Sequence, residues 1–262
     1  MMAIASPDPD QIARVRANLQ SVQARIAEAC RQAGRDPADV RLLPVSKTVD
    51  AGRLRAAHAA GCRWLGENKV QEAQQKSQAL ADLPGLLWSI IGHLQTNKAR
   101  DVARFADEFQ ALDSLRVAEA LERRLQIEGR GLDVFVQVNT SGEPSKFGLA
   151  PDAVPAFVRE LRAYPALRLR GLMTLAVFSS DADAVRACFR RLRELRDAIA
   201  DTAHAVDARE LSMGMSGDYE LAIAEGATVV RIGQAIFGAR PTPDSHYWPD
   251  AGHRSLSSAN GN

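Results

Sequence analysis

The sequence lacks long apolar runs and an excess of charge of one sign. No run reaches the roughly 18 apolar residues that a membrane-spanning helix needs, and only 5% of the residues are aromatic. The 33 Lys and Arg residues are balanced by 32 Asp and Glu residues, so no single-signed surface is expected to hold a polyanion. We therefore expect a soluble protein that binds neither membranes nor nucleic acids.

Cysteines are also scarce. Cys30, Cys62 and Cys188 are odd in number and lack C-x-x-C spacing, so neither a disulfide framework nor a zinc site is indicated. We expect each to pack as a small apolar residue. Residues 1–6 lack the basic region and apolar stretch of a secretory signal peptide, and we expect a cytoplasmic protein.

No linker divides the 262 residues, which predicts a single large domain. The expected divisions are a flexible N-terminus over residues 1–7, one domain over residues 8–240, and a loose Ser- and Asn-rich tail over residues 241–262. Apolar residues from Ile12 to Ala29 recur at spacings of three and four. This pattern predicts an amphipathic helix near residues 8–33, which Gly34 ends.

Strand-like runs alternate strictly with helical patterns after this first helix. The predicted strands cover residues 41–46, 62–65, 86–91, 109–112, 132–139, 167–175, 210–213 and 228–232. Helical patterns lie near residues 50–59, 68–80, 95–104, 114–127, 151–163, 181–203, 217–225 and from 233 onward. Strict alternation requires parallel strands joined by crossover helices. Eight such units predict an α/β fold, a closed (β/α)8 barrel of the TIM type with an extra N-terminal helix; an open doubly wound sheet is the alternative.

Pro44 conflicts with a central strand, because proline cannot donate a ladder hydrogen bond. We expect it to mark the start of the first strand or a bulge.

Polar residues follow the predicted strands, and in a barrel these positions face the functional site. They are Ser46 and Lys47, Glu67 and Asn68, Gly92 and His93, Asp113 and Ser114, Asn139 and Thr140, Met173 and Thr174, Ser212 with Gly214 and Ser216, and Arg231 with Gly233. Lys47 follows an apolar strand, where desolvation would lower the pKa of its amine and favour a Schiff base. The alternative is a lysine whose ammonium reaches solvent from the barrel rim.

Two neighbouring loops indicate an anion site. Ser212 and Ser216 flank Gly214 just before a predicted helix, and Gly233 begins the next helical pattern. Phosphate sites in barrels commonly form from the loops after strands seven and eight, although the serines are equally typical of helix caps. Arg231 ends a buried strand, so its guanidinium is expected to meet a ligand, a carboxylate in a structural ion pair, or solvent.

Seven ordered blocks of the sequence resemble the pyridoxal phosphate homeostasis protein family. They are VSKT at 45–48, GENKVQE at 66–72, IGHLQTNK at 91–98, GEPSKFG at 142–148, GLM at 171–173, LSMGMS at 211–216 and VRIG at 230–233. The resemblance spans residues 10–240 and implies a single barrel of the alanine-racemase N-terminal-domain type. One departure is that Trp88 is followed by Ser89 and Ile90, where the family usually has Trp-His-Phe.

The resemblance also implies a cofactor, pyridoxal 5'-phosphate (PLP). It implies a Schiff base on Lys47, a pyridine-nitrogen contact from Arg231, and further cofactor-binding residues, which are Asn68, Met173, Ser212, Ser216 and Gly233. In this set Ser212, Ser216 and Gly233 would contact the phosphate, and Asn68 the ring. No catalytic residue or metal ligand is assigned.

Three functions are weighed on this basis. The first is a non-catalytic protein that stores, buffers or delivers PLP, with PLP-requiring apoenzymes as further partners. The second is a PLP-dependent amino-acid racemase, and the third a Schiff-base aldolase acting on a phosphorylated sugar.

A cationic Arg231 disfavours protonation of the pyridine nitrogen and weakens the ring as an electron sink. Only residues 241–262 follow Arg240, which leaves no room for the C-terminal domain that carries the second base of alanine racemases. We therefore prefer the first function. We expect the protein to be a monomer or a weak dimer.

Overall fold

The computed structural model describes residues 8–200 and 208–238. The predicted flexible N-terminus at residues 1–7, the predicted tail at residues 241–262 and the end of the helix predicted over residues 181–203 lie outside these ranges. In the described ranges, no helix is both long and apolar enough to cross a membrane.

The first helix, α1, runs from Pro9 to Gln32. The Asp8 side chain caps it by accepting a hydrogen bond from the Asp10 N–H at 3.0 Å, and Pro9 fits the first turn because its missing N–H has no helical acceptor. One face is buried and consists of Val15, Leu19, Val22, Ile26, Ala29 and Cys30. This face packs against α2, α8 and α9, whose bounds follow. The predicted N-terminal helix is confirmed.

Eight parallel strands form one sheet in the described part of the chain. They are β1 (Arg41–Pro44), β2 (Trp64–Glu67), β3 (Leu87–Ile90), β4 (Glu108–Leu112), β5 (Leu132–Gln137), β6 (Leu167–Met173), β7 (Glu210–Ser212) and β8 (Val229–Ile232). The order is β1-β8-β7-β6-β5-β4-β3-β2. Val45 pairs with Gly66, and the Ser46 N–H donates to the Gly66 carbonyl at 2.9 Å, which joins β1 to β2. The barrel is confirmed, and the open sheet is wrong.

Helices alternate with the strands on the outside of the barrel. They are α2 (Ala51–Ala59), α3 (Val70–Ala79), α4 (Ala99–Phe105), α5 (Leu115–Glu128), α6 (Val154–Glu160), α7 (Ala182–Ala200), α8 (Tyr219–Ala224) and α9 (Gln234–Phe237). Short 3-10 turns precede α4 and α6 at Thr96–Lys98 and Pro151–Ala153. The three cysteines are buried and unpaired, and burial raises the pKa of the Cys62 thiol to about 11.

Pro44 ends β1, so the expectation of a strand start or bulge is wrong. The N–H groups of Arg41 and Val45 donate to β8, at 2.7 Å to the Thr228 carbonyl and 2.9 Å to the Ile232 carbonyl. Donors alternate sides along a strand, so the missing N–H of Pro44 falls on the β2 side. Pairing with β2 begins only at the next residue, and the proline therefore costs no ladder hydrogen bond.

The barrel interior is polar near its centre. Gln110 on β4 accepts a hydrogen bond from the Ser212 hydroxyl on β7 at 2.6 Å, although these strands are not neighbours in the sheet. Glu108 accepts from Ser89 at 2.7 Å and from Arg41 at 2.6 Å. The Ser212–Gln110 and Arg41–Glu108 hydrogen bonds join strands that are not neighbours in the sheet, so these side chains point inward. Most of their polar atoms are paired, as burial requires, although the Arg41 Nη1 has no hydrogen-bond partner among the described residues.

Candidate functional site

The predicted site residues lie at the carboxyl ends of five strands that adjoin one another. Lys47 follows β1, Asn68 follows β2, Met173 ends β6, Ser212 and Ser216 belong to the end of β7 and its loop, and Arg231 and Gly233 belong to the end of β8 and its loop. The sheet order β2-β1-β8-β7-β6 around the closed barrel brings these five ends to one side of its mouth. The site therefore occupies about half of the carboxyl end.

Lys47 is half-buried in a turn directly after β1. Its neighbour Ser46 is buried, whereas Thr48 is exposed and has a φ of 65°. The left-handed region is uncommon for a residue with a branched side chain. The backbone on both sides of Lys47 is thus held in a specific conformation.

Arg231 is buried at the end of β8, with 3% of its surface exposed. Its Nη1 donates to the Ser212 hydroxyl at 2.7 Å, and its Nη2 donates to the Thr174 carbonyl at 2.8 Å. Both acceptors are neutral, and the Asp218 carboxylate acts on the guanidinium only through space. Burial lowers the pKa of Arg231 to about 10, so the group stays protonated at neutral pH. The charge is therefore held at the mouth without a direct ion pair to a described carboxylate.

The Ser212 hydroxyl makes two hydrogen bonds inside the barrel, and its predicted phosphate contact stays a prediction. The hydroxyl donates its one proton to the Gln110 side-chain oxygen at 2.6 Å and accepts from Arg231. A hydroxyl has a single O–H donor, and a phosphate oxygen would need that donor. Ser212 is fully buried, and in this arrangement it supports Arg231 from the barrel interior.

Ser216 lies exposed in the turn between β7 and α8. The Asp218 carboxylate closes this turn by accepting from the Met215 N–H at 2.6 Å. Gly214 enters it with a φ of 92°, and a Cβ there would lie 2.8 Å from the Tyr219 Cα, so no larger residue fits. The Ser216 hydroxyl is consequently presented at the surface of a tightly folded loop.

Gly233 lies directly against the backbone that precedes Lys47. A Cβ at Gly233 would lie 2.9 Å from the Val45 carbonyl oxygen, a distance that side chains do not tolerate against backbone. The loop after β8 therefore approaches the Lys47 turn as closely as a glycine permits.

Two further predicted residues differ in accessibility. Asn68 follows β2 and is exposed. Its backbone packs so closely against Gly92 that a Cβ on Gly92 would clash with it. Met173 is 1% exposed at the end of β6. The next residue, Thr174, is anchored through its hydroxyl to the Val138 carbonyl at 2.7 Å, which fixes the carbonyl that Arg231 binds.

His93 does not join the predicted cofactor residues through any described contact. Its ring stacks on Phe147 with centroids 4.1 Å apart, and its Nδ1 lies 3.4 Å from an Asp113 carboxylate oxygen. Burial raises the pKa of the Asp113 carboxyl, and His93 opposes that rise. Ser89, at the position where the family usually has His, donates instead to Glu108 inside the barrel.

Comparison with known proteins decides the family. Residues 17–241 match the family described as "Alanine racemase, N-terminal domain". A pyridoxal phosphate homeostasis protein of Pseudomonas aeruginosa is 49% identical over 223 residues, covering 85% of this chain and 94% of that protein. One from Escherichia coli K12 is 41% identical over 226 residues, covering 85% of this chain and 95% of its own length. The chain belongs to the pyridoxal phosphate homeostasis protein family.

Solved structures agree with this family. PipY of Synechococcus elongatus PCC7942, solved with PLP bound, is 36% identical, with a TM-score of 0.76 and coverage of 86% of this chain and all of PipY. The alanine racemase of Streptomyces coelicolor A3(2) is 20% identical, with a TM-score of 0.67 and coverage of 89% of this chain and 60% of the racemase. The racemase likeness shows the barrel fold alone. Both the predicted family and the predicted barrel type are confirmed.

Two residues that support the predicted site, Gln110 and Lys76, escaped the sequence reasoning. Gln110 and Thr174 hold Ser212 and Arg231, and Lys76 bonds the backbone beside Lys47. Thr174 was visible as a strand-end residue. The roles of Gln110 and Lys76 carry no local signal, because Gln110 is 102 positions from Ser212 and Lys76 is 30 positions from Ser46.

Proposed function

We propose that the protein binds PLP as a Schiff base on Lys47 and serves PLP homeostasis by storing, buffering or delivering it, without robust catalysis. The observation that carries this is the placement of half-buried Lys47 beside the Gly233 loop, at a mouth that also holds the buried cation of Arg231. PipY, 36% identical and solved with PLP bound, supports the same ligand here.

The described residues offer groups that suit the phosphate and the ring of PLP. The close approach of Gly233 to Val45 leaves backbone rather than side chains facing a phosphate, and Ser216 adds an exposed hydroxyl. We assign phosphate binding to Ser216 and Gly233, ring contacts to Asn68 and Met173, and the pyridine nitrogen to Arg231. Ser212 serves the site through Arg231. When bound, PLP supplies an aldehyde that condenses reversibly with a primary amine and releases water.

The properties of Arg231 favour PLP binding over catalytic turnover. Its guanidinium stays protonated at neutral pH, because its pKa is about 10, and so it presents donors rather than a base. A cation at the pyridine nitrogen opposes protonation of that nitrogen, and an unprotonated ring withdraws electrons less strongly. The residue therefore suits binding and orientation.

A second base for racemisation is not evident among the described tyrosines. Tyr219 is 2% exposed, and the Arg25 Cζ on α1 lies 5.5 Å from its ring centroid. The Tyr219 side chain therefore packs against α1, outside the barrel. Tyr164 precedes β6, at the opposite end of the barrel from the mouth. The third tyrosine, Tyr247, lies outside the described residues. The racemase remains the alternative function.

The proposal extends to partners and location. Exposed Asn68 and Ser216 flank the half-buried Lys47, so PLP held there would be reachable from outside. Reversible imine chemistry then permits transfer to an apoenzyme that offers its own lysine. We place this exchange in the cytoplasm and expect the carrier to be a monomer or weak dimer.

The binding claim is tested by mixing the protein with PLP and separating it from unbound PLP by gel filtration. Wild-type protein is expected to retain the yellow absorbance of a Schiff base, and Lys47→Ala to lose it. Lys69→Ala is the control, because Lys69 is an exposed lysine at the same end of the barrel, and it should behave as wild type. A colourless wild-type protein would contradict the proposal.

The alternatives have separate tests. A racemase would exchange the α-proton of a D- or L-amino acid in deuterated water when loaded with PLP, and the proposed carrier would not. A sugar-phosphate aldolase would be colourless as purified and trapped by borohydride on Lys47 only when its substrate is present.

A further inference from the structure

A buried ionic cluster lies on the helix side of the turn that carries Lys47. Its centre is Lys76 on α3, whose Nζ donates at 2.7 Å to three acceptors, namely the Glu67 and Glu72 carboxylates and the Ser46 carbonyl. The Lys76 side chain is 10% exposed and that of Glu67 is fully buried. All three N–H donors of this ammonium are thus used, and one of them binds the backbone next to Lys47.

The cluster makes three hydrogen bonds to the turn. Besides the Ser46 carbonyl, the Ser46 hydroxyl donates to Glu67 at 2.6 Å, and the Thr48 N–H donates to Glu72 at 2.7 Å. These groups belong to the residues immediately before and after Lys47. Both backbone links that flank the reactive lysine are therefore tied to α3.

The turn needs such an anchor because Thr48 has a φ of 65°. A non-glycine residue in this region is strained and persists only where its surroundings hold it. The Glu72 carboxylate binds the N–H of this very residue. Without that bond, the strained turn would be free to relax and carry Lys47 with it.

Stability alone accounts poorly for the cluster. A buried ion pair is often no more stabilising than apolar side chains of similar volume, and one carboxylate oxygen of Glu67, Oε2, is buried without a hydrogen-bond partner among the described residues. Burial raises the pKa of Glu67 even though Lys76 lies beside it. What the arrangement does provide is a fixed backbone on both sides of Lys47.

We propose that Glu72 and Lys76, together with Glu67, are positioning residues that fix the Lys47 turn so that the Lys47 amine meets the PLP aldehyde in a reactive orientation. This inference rests on the proposed function. In the covalent step, the Lys47 nitrogen adds to the aldehyde carbon and water leaves. The three positioning residues take no part in that exchange of atoms.

The test compares substitutions at Glu72, whose side chain is 27% exposed and whose replacement should be tolerated by the fold. Glu72→Ala removes the anchor, Glu72→Asp keeps the charge but shortens the reach, and Glu72→Gln keeps the reach without the charge. Gln75→Ala, at an exposed position of the same helix, is the matched control. The readouts are the second-order rate constant for Schiff-base formation with PLP and the melting temperature without PLP.

Positioning predicts that Glu72→Ala and Glu72→Asp form the Schiff base about tenfold more slowly, since small misplacements of a reacting group are costly. Glu72→Gln should stay within about twofold of wild type, because its amide oxygen still accepts from Thr48. A fast Glu72→Ala variant, or a fast Asp variant beside a slow Gln variant, would overturn the inference. Absence of a Schiff base in the wild type would instead defeat the proposed function.

Discussion

Arg231 and Ser212 form a pair in which a hydroxyl, rather than a carboxylate, supports a buried guanidinium. The Ser212 hydroxyl donates a hydrogen bond to the Gln110 side-chain oxygen, so its own oxygen is free to accept from Arg231. A carboxylate in that position would neutralise the cation. The neutral partners leave the charge of Arg231 available to a ligand at the mouth.

This assignment predicts opposite outcomes at the two serines. Ser212→Ala leaves an Arg231 N–H and the Gln110 oxygen unpaired and should lower the free energy of unfolding by about 1–3 kcal/mol. Ser216→Ala alters an exposed hydroxyl and should change stability by no more than about 0.5 kcal/mol while weakening PLP binding. Chemical denaturation and PLP titration measure the two effects. Full stability of Ser212→Ala would show that the Arg231 hydrogen bond is misassigned.

We expect the Lys76→Met variant to lose stability to an extent that depends on pH. Removing one partner of a buried ion pair costs about 3–5 kcal/mol, here by leaving Glu67 ionised without its ammonium. Burial already raises the pKa of Glu67, and loss of Lys76 raises it further. A carboxyl with a raised folded-state pKa binds more protons when folded, so stability falls as pH rises through that pKa. The variant should therefore be closest to wild type in mild acid and furthest from it at neutral pH.

Denaturant unfolding of Lys76→Met and wild type at both pH values measures this difference. An equal loss of stability at the two pH values would mean that Glu67 does not become an uncompensated buried charge.

Some of these residues could be predicted from the sequence and others could not. Lys47 and Gly233 follow strands and Arg231 lies at the end of one, and that position alone marks them. The hydrogen bond between the Ser212 hydroxyl and Gln110 could not be predicted, because the two residues are 102 positions apart. The contacts of Lys76 likewise depend on how α3 packs on the barrel, which no local pattern shows.

At the scale of elements, β2 shows why boundaries are harder to predict than order. The strand was expected at residues 62–65 and lies at Trp64–Glu67. Gly66 and Glu67 look like loop residues in sequence, yet Glu67 is buried against Lys76. The α4 and α6 helices also begin later than expected, because 3-10 turns precede them.

The junction of β8 and α9 with β1 gives a prediction at this scale. Gly233→Ala places a methyl group 2.9 Å from the Val45 carbonyl oxygen, so one of the two loops must move. We expect a loss of about 1–3 kcal/mol in the free energy of unfolding and weaker PLP binding. Gly217→Ala is the control, since a Cβ there meets nothing within 4 Å. Equal behaviour of the two variants would contradict the close packing of the junction.

At the scale of the whole molecule, strict alternation of strands and helices predicted a parallel sheet, and the number of units favoured the barrel over an open sheet. Alternation forces parallel pairing, and eight units close. The polar interior around Glu108 and Gln110 was not predicted, because inward-pointing polar residues look the same in sequence as those on an exposed strand face. The formal charge is +1, so under the proposed function local groups at the mouth, such as Arg231, would attract the anionic ligand.

The central claim is that PLP is held covalently on Lys47. The most direct test is borohydride reduction of the PLP-loaded protein, followed by proteolysis and peptide mass analysis. The account predicts one reduced PLP adduct per chain, on the peptide that contains Lys47, and none on that peptide in Lys47→Ala. An adduct distributed over surface lysines, or none on the Lys47 peptide of the wild type, would contradict it.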